Sequence, residues 1–185
     1  MARMYLFMMV SLDGFFEGVD HDLSWHNVDA EFNDFAVKQL SETSTLVFGG
    51  RTYKMMADFW PTDFAIKTDP QTANRMNYLH KIVFSRTLKA AHWNNSELHS
   101  SNVASIVRAV KEDSSKDIAI LGSSNLCITL IKEELLDEIR IMVNPVVLGK
   151  GTTLFTGIKT PIKLTLDSSR KFQSGNVLLN YRVIR

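Results

Sequence analysis

The chain has 185 residues, 45% hydrophobic and 22% charged, which is typical of a globular protein with one core and suits a single domain over residues 1–185. Its 21 Lys and Arg against 20 Asp and Glu give a formal charge of +1. Because there is no dense basic run and no apolar run near the roughly 20 residues of a membrane span, we expect neither nucleic-acid binding nor membrane insertion.

Apolar runs of strand length alternate with helix-like segments, which favours an α/β fold. The predicted strands cover residues 5–10, 45–48, 81–84, 117–121, 136–143, 162–167 and 177–183. The last two flank a turn near Ser174 and Gly175, and so form an antiparallel hairpin. The alternation predicts a mostly parallel central sheet closed by that hairpin.

Helices are predicted between these strands from apolar spacing and capping residues. The first begins at Asp29 as N-cap and runs to about Leu40, with apolar residues recurring at helical spacing. Others cover residues 52–56, 102–111 and 124–133. Residues 61–78 are predicted to form a polar loop or a broken helix.

Two junctions place glycine between a strand and a helix, at Gly49-Gly50-Arg51-Thr52 and at Gly122-Ser123-Ser124. Free N–H groups at a helix N-terminus attract phosphate, and glycine allows its close approach. Arg51 adds a positive charge. A single such junction is more often simple turn chemistry, but two in one small α/β domain indicate a dinucleotide site. Ser85-Arg86 follows another buried strand and is a third candidate phosphate contact.

Glu31 is the candidate acid, since Phe32 and Phe35 flank it near the start of the first helix. A carboxylate in an apolar cleft can hold an amidine-like ring edge and tune a proton transfer. The alternative interpretation, a solvated acid on a helix surface, is the commoner one for any single Glu.

Other kinds of site lack a sequence pattern. No pair of the five histidines has helical i,i+4 spacing, so we predict no metal site and read the histidines as surface or turn residues. Cys127, the only cysteine, lies in an apolar run and is predicted to be a buried, inert thiol. That is compatible with the reducing cytoplasm, where we expect the protein to reside.

The ordered motifs resemble those of one family. They are residues 11–15 (SLDGF), 50–53 (GRTY), 81–88 (KIVFSRTL), 122–126 (GSSNL), 136–140 (LDEIR) and 144–151 (NPVVLGKG), followed by Leu154 and Phe155. The chain is similar to the stand-alone bacterial dihydrofolate-reductase-like proteins and to the C-terminal reductase domain of the riboflavin-biosynthesis deaminase–reductase. The resemblance implies the dihydrofolate-reductase-like three-layer fold, NADPH as cofactor, hydride transfer and a homodimer.

The resemblance also implies roles for individual residues. It makes Glu31 the substrate-gripping catalytic acid, in a pocket closed by Trp25 and packed by Phe32 and Phe35. It implies that the cofactor contacts Ser11, Asp13, Gly14, Phe15, Gly50, Arg51, Thr52, Ser85, Arg86, Gly122, Ser123, Ser124, Asn125 and Leu126.

Three features depart from the family pattern. Dihydrofolate reductases carry Gly-Gly where this chain has Gly122-Ser123, so a cis peptide is not assumed there. The riboflavin-pathway reductase carries a lysine on its first strand, where this chain has Leu6-Phe7-Met8. Residues 61–78 are unlike the corresponding loop of dihydrofolate reductases.

Three functions therefore stay open. The first is an NADPH-dependent reductase of a pterin- or aminopyrimidine-like ring. The second is 5-amino-6-(5-phosphoribosylamino)uracil reductase, which needs a cationic pocket for the substrate phosphate, with Lys67, Arg75 and Lys81 as candidates. The third is a non-catalytic nucleotide-binding module that lacks a working acid.

Overall fold

The computed structural model describes residues 2–185 as ten strands and six helices. The strands are β1 (Met4–Ser11), β2 (Phe15–Glu17), β3 (Thr43–Gly49), β4 (His80–Phe84), β5 (Ser96–His99), β6 (Asp117–Leu121), β7 (Glu138–Asn144), β8 (Thr152–Thr153), β9 (Leu164–Lys171) and β10 (Val177–Val183). The helices are α1 (Ala30–Ser41), α2 (Gly50–Phe59), α3 (Asp63–Thr68), α4 (Pro70–Tyr78), α5 (Val103–Asp113) and α6 (Ser124–Lys132).

Eight of the strands form one sheet in the order β5-β4-β3-β6-β1-β7-β10-β9. The pairs from β5 to β7 are all parallel, whereas β10 runs antiparallel to both β7 and β9. The carboxyl ends of β4, β3, β6, β1 and β7 therefore share one edge of the sheet. Strands β2 and β8 form a separate two-stranded sheet. The predicted mostly parallel sheet with an antiparallel C-terminal hairpin is confirmed.

Helices cover the two faces of the sheet and complete the three layers. On one face α5 and α6 pack through Val107, Leu126 and Leu130 against Leu6 and Ile120 of the sheet. The other face carries a second core, to which the helices contribute Leu40 from α1, Tyr53 from α2 and Met76 from α4. Burying an apolar side chain of this size contributes about 1.5–3 kcal/mol, so these two cores hold the layers together. The predicted three-layer architecture is confirmed.

The structure differs from the predicted elements mainly where the pattern is polar or short. Residues 61–78 form the two helices α3 and α4, with Asp69 between them, so the broken-helix alternative was right. Strand β5 was not predicted, because it is a short polar strand at the sheet edge. The turn at Ser174 and Gly175 is confirmed, with Gly175 at φ +90° and the Phe172 amide donating to the Asn176 carbonyl.

Candidate functional site

The two glycine junctions touch at the carboxyl edge of the sheet. The Ser123 hydroxyl accepts a hydrogen bond from the Gly49 amide at 2.8 Å and donates to Oγ1 of Thr52 at 2.9 Å. One serine thus fixes the start of α2 against the start of α6. The edge from β4 through β3 and β6 to β1 spans about 14 Å at the usual strand spacing. Phosphate contacts from both junctions are therefore available to one extended ligand.

Close backbone approach explains two of the glycines. A Cβ on Gly50 would lie 2.5 Å from Oγ of Ser85, and a Cβ on Gly122 would lie 3.2 Å from Cγ2 of Thr52. Gly122 also has φ +80°, a backbone angle that residues other than glycine rarely adopt. No cis peptide bond occurs within residues 2–185, so the Gly122–Ser123 bond is trans. The third junction, at Ser85, is thereby in contact with the first.

The two helices that begin at the glycine junctions, α2 and α6, lack the side-chain N-cap that α1, α3 and α4 have. Asp29, Thr62 and Asp69 accept hydrogen bonds from first-turn amides of α1, α3 and α4. Helices α2 and α6, like α5, begin without a side-chain cap. First-turn N–H groups without such a cap are the donors that bind phosphate. The donors of α2 and α6 thus fit the phosphates of a dinucleotide.

The remaining residues predicted at these junctions take different positions. Arg86 is exposed in the turn after β4, and Asn125 is exposed on the first turn of α6. Ser124 is partly buried. Leu126 is buried in the core beneath α6, so only its backbone faces the junction.

The loop after β1 is held by the segment that follows β7. The Asp13 carboxylate accepts hydrogen bonds from the amides of Leu148 at 3.1 Å and Gly149 at 2.7 Å. A side-chain hydrogen bond from Ser11 and these backbone bonds lower the pKa of Asp13 to about 2. Ser11 is buried and its hydroxyl accepts from the Phe15 amide at 3.0 Å, while Gly14 turns the chain at φ +87°. The loop predicted beside the nicotinamide is therefore ordered by hydrogen bonds within the loop and to the segment after β7.

Arg51 projects from the start of α2 onto this loop. Its Nη2 donates to both carboxylate oxygens of Glu17, at 3.0 and 3.1 Å, and its Nη1 lies 3.3 Å from Nδ1 of His21. The Arg51 side chain is 61% exposed and the Glu17 side chain 7%. Glu17 is a candidate site residue that sequence analysis missed. Its signal was a single acid at the end of an apolar pair, Phe15-Phe16.

The predicted substrate residues are only partly brought together. Phe32 and Phe35 of α1 contact Phe7 of β1, with ring centroids 6.3 and 5.8 Å away, and Phe35 meets Phe172 edge-on. Trp25 instead packs at right angles on His26, and its indole N–H donates to the Asp22 carbonyl. Phe32 and Phe35 thus form one aromatic cluster, which the ring contacts of Trp25 do not join.

Glu31 lies outside that cluster, at the protein surface. Its carboxylate accepts from Nη2 of Arg170 at 2.7 Å and from the Gln173 amide at 2.8 Å. These bonds, the backbone one first, lower its pKa. The expected apolar surroundings of this carboxylate are not found, because Glu31 is partly exposed and bonds to Arg170 of β9 and to a backbone amide. At neutral pH the group is an anion.

Lys81 is unsuited to the phosphate pocket for which it was a candidate. It is fully buried, and its Nζ donates to the carbonyls of Asn77, Leu79 and Asn94. Burial lowers its pKa to about 8. Lys67 and Arg75 are exposed on α3 and α4. These three residues do not form a shared cationic pocket.

Buried asparagines fix the segment that carries Trp25. Asn144 at the end of β7 accepts from the Asn27 amide at 2.9 Å and donates to carbonyls of β1 and β7. Asn176 donates to the Asn27 carbonyl at 2.7 Å. Both Asn144 and Asn176 are fully buried. Sequence analysis missed this network, because single asparagines in turns carry no distinctive spacing.

Across residues 2–185 no three His, Cys, Asp or Glu side chains are grouped to hold a metal. Within the same range no helix has the length and apolarity to cross a bilayer.

Cys127 is buried, as predicted, and burial raises its pKa to about 12. Two histidines differ from the prediction that all five are surface or turn residues. His26 is partly buried, and burial lowers its pKa to about 4. His99 lies in strand β5.

Comparison with known proteins places this geometry in a family. The model of the RibD C-terminal domain family matches residues 3–178. The uncharacterized protein YyaP of Bacillus subtilis (strain 168) is 32% identical over 181 residues, which are 97% of this chain and 94% of YyaP.

Solved structures show the same fold. A putative riboflavin biosynthesis protein from Shewanella sp. PV-4 superposes with a TM-score of 0.76 at 21% identity, covering all of both chains. Dihydrofolate reductase from Enterococcus faecalis, complexed with NADP(H), superposes with a TM-score of 0.66 at 15% identity, covering 99% of this chain and 97% of that one. The fold is therefore dihydrofolate-reductase-like, as predicted.

Proposed function

This chain belongs to the RibD C-terminal domain family, and on that premise we propose that it is an NADPH-dependent reductase of a small pterin- or aminopyrimidine-like heterocycle, acting at a C=N or CH–NH centre. One observation carries the proposal. Three phosphate-type junctions, at Gly49-Gly50, Ser85 and Gly122-Ser123, contact one another at the carboxyl edge of the sheet. In α/β sheets ligands bind at this edge.

The cofactor would lie along that edge from β4 to β1. The first-turn amides of α2 and α6 would hold its pyrophosphate, and Gly50 and Gly122 let these junctions pack closely against Ser85 and Thr52. Arg51 would pair with the 2′-phosphate, and Ser85 and Arg86 would lie near the adenosine. When bound, the cofactor supplies the hydride. The chain's own work is to orient the two rings and keep water away from them.

The substrate would bind on the aromatic side of β1. Phe32 and Phe35 would pack on the ring, Trp25 would close the pocket, and Glu31 would grip an amidine-like edge. The ionised Glu31 suits that grip, since a carboxylate accepts two parallel N–H bonds. Arg170 already supplies such a donor to Glu31, so a cationic ring edge would take the place of Arg170.

A titration of the purified protein with NADPH and with NADH tests this proposal. We expect micromolar NADPH binding with a clear preference over NADH, read by nicotinamide fluorescence and thermal stability together. Arg51→Ala should weaken NADPH binding about 30- to 100-fold, as expected for a lost charge-assisted phosphate contact, and NADH binding by less than about threefold. Arg108→Ala, on α5, is the matched control. Failure of the wild-type protein to bind either cofactor would refute the reductase.

The second candidate is the riboflavin-pathway reduction of 5-amino-6-(5-phosphoribosylamino)uracil. The family match and the description of the Shewanella protein favour it. The buried Lys81 and the first strand without lysine argue against a site for the substrate phosphate. Turnover of that compound by the purified protein would establish this function in place of the first.

The third candidate, a non-catalytic nucleotide-binding module, is favoured by the engagement of Glu31 with Arg170 and Gln173. It predicts the same cofactor binding without turnover. A screen of pterins and pyrimidines with bound NADPH separates it from the reductases.

We further propose that the protein is a cytoplasmic homodimer. All eight residues of β9 are exposed, including Leu164 and Leu166, and the strand lies at the sheet edge. An edge strand presents unpaired N–H and C=O groups that can pair with another chain, and such pairing would cover Leu164 and Leu166. Light scattering should give twice the mass of one chain, 21.0 kDa. A monomer at micromolar concentration would refute the dimer.

A further inference from the structure

The ion pair between Arg51 and Glu17 joins the two ends of the proposed cofactor site. Arg51 lies at the start of α2, and Glu17 ends β2, beyond the loop predicted to flank the nicotinamide. Both carboxylate oxygens accept from the same Arg51 nitrogen, within 3.1 Å. The guanidinium expected to meet the 2′-phosphate is therefore already paired with an acid.

Glu17 is held firmly, whereas Arg51 is not. The Glu17 backbone pairs with Thr152 of β8, and a Cβ on Gly151 would lie 2.3 Å from the Glu17 carbonyl oxygen. The Glu17 side chain is only 7% exposed against 61% for Arg51. When a ligand competes for the guanidinium, Arg51 is thus the side chain free to turn.

His21 gives Glu17 a second partner. Its Nδ1 lies 3.1 Å from Oε2 of Glu17. His21 and Asp20 both have positive φ, 63° and 56°, in the short 3-10 turn Val19–His21. Two adjacent left-handed residues are uncommon outside glycine and often mark functional segments. An open depression of about 430 Å³, lined by Gly18, Val19 and Asp22 among others, borders this turn.

We propose that Glu17 sets the cofactor preference by competing with the 2′-phosphate for Arg51. This rests on the proposed function, because it takes Arg51 as the 2′-phosphate contact. In the free protein the Glu17 carboxylate is paired with the Arg51 guanidinium. On binding NADPH, Arg51 turns to the 2′-phosphate and Glu17 keeps His21 as its neighbour. Breaking the Glu17–Arg51 pair costs free energy that only the NADPH complex requires, so Glu17 lowers affinity for NADPH and leaves that for NADH nearly unchanged.

Glu17→Gln tests the competition, because glutamine keeps the shape and removes the charge. We expect NADPH to bind about five- to tenfold tighter and NADH within about twofold of wild type. Asp20→Asn is the matched control, since it removes one negative charge from the same loop and asparagine tolerates its positive φ. In an Arg51→Ala background, Glu17→Gln should leave the affinity for both cofactors unchanged.

Each outcome decides between interpretations. If the wild-type protein prefers NADPH but Glu17→Gln binds NADPH no tighter than wild type, the competition is overturned and the proposed function stands. If Glu17→Gln binds NADPH more weakly, Glu17 is instead a residue that positions Arg51. A wild-type protein that binds neither cofactor overturns the proposed function as well. An equal gain in Asp20→Asn would show that loop charge, and not the ion pair, is responsible.

A measurement on the wild-type protein covers the case in which Glu17→Gln does not fold. NADPH and NADH differ only by the 2′-phosphate, so they form matched complexes for amide hydrogen exchange. We expect faster exchange at Val19–His21 in the NADPH complex, because the turn then loses its tie to Arg51. Equal or slower exchange there would overturn the proposal.

Discussion

The proposed cofactor side and the proposed substrate side of the sheet's carboxyl edge are built differently. On the cofactor side the predicted junctions contact one another through Ser123, Gly50 and Ser85. On the substrate side, Phe32 and Phe35 meet, but Trp25 packs elsewhere and Glu31 bonds to β9.

The difference follows from what each side is made of. Phosphate junctions are backbone features, and parallel strands bring the loops at their carboxyl ends to one edge automatically. A substrate pocket depends on where individual side chains point, and these are set by distant partners such as Arg170. Four predictions probe this comparison, beginning with the largest expected effect.

Glu31→Gln probes the substrate side. We expect turnover of an accepted substrate to fall about 100-fold or more, because the neutral amide cannot hold a cationic ring edge. NADPH affinity should stay within about twofold of wild type. Asp34→Asn, an exposed acid on the same helix, is the control. Steady-state kinetics with saturating NADPH would measure both, and turnover that survives the Glu31 change would refute the catalytic assignment.

Gly50→Ala probes the cofactor side. The added Cβ would lie 2.5 Å from the Ser85 hydroxyl and force the first and third junctions apart. We expect a loss of about 1–3 kcal/mol in the free energy of unfolding, typical of overpacking. Gly18→Ala, where the new Cβ meets its neighbour at an ordinary 3.4 Å, should cost far less. Urea denaturation measures both, and equal losses would contradict the close contact.

Ser123→Ala removes the hydroxyl that ties α2 to α6. It leaves the Gly49 amide without its acceptor, so we expect a loss of about 1 kcal/mol in unfolding free energy, together with weaker NADPH binding. The control is Ser105→Ala, an exposed serine on α5 whose hydroxyl donates only to the Asn102 carbonyl. Should the two variants match the wild type equally in stability and affinity, the tie between the junctions would be energetically irrelevant.

The smallest effect concerns Lys81, which was a candidate for the substrate side and proved to be buried. Its pKa of about 8 in the folded chain lies below the ordinary 10.5. The unfolded chain therefore binds more protons between pH 8 and 10.5, so Lys81 makes stability rise with pH across that window. The stability of wild type relative to Lys81→Met should increase from pH 8 to 10.5. A constant difference would show that Lys81 does not titrate in this range.

Sequence alone determined the α/β class, the parallel sheet with its C-terminal hairpin, and the junctions at Gly49-Gly50 and Gly122-Ser123. These follow from hydrophobic periodicity and turn chemistry, which act over a few neighbouring residues. Only the tertiary structure decided that Arg51 pairs with Glu17, that Glu31 pairs with Arg170, and that Lys81 is buried. The Arg51–Glu17 pair joins residues 34 positions apart, and the Arg170–Glu31 pair joins residues 139 positions apart. Lys81 is buried among backbone carbonyls. No local sequence pattern specifies any of these contacts.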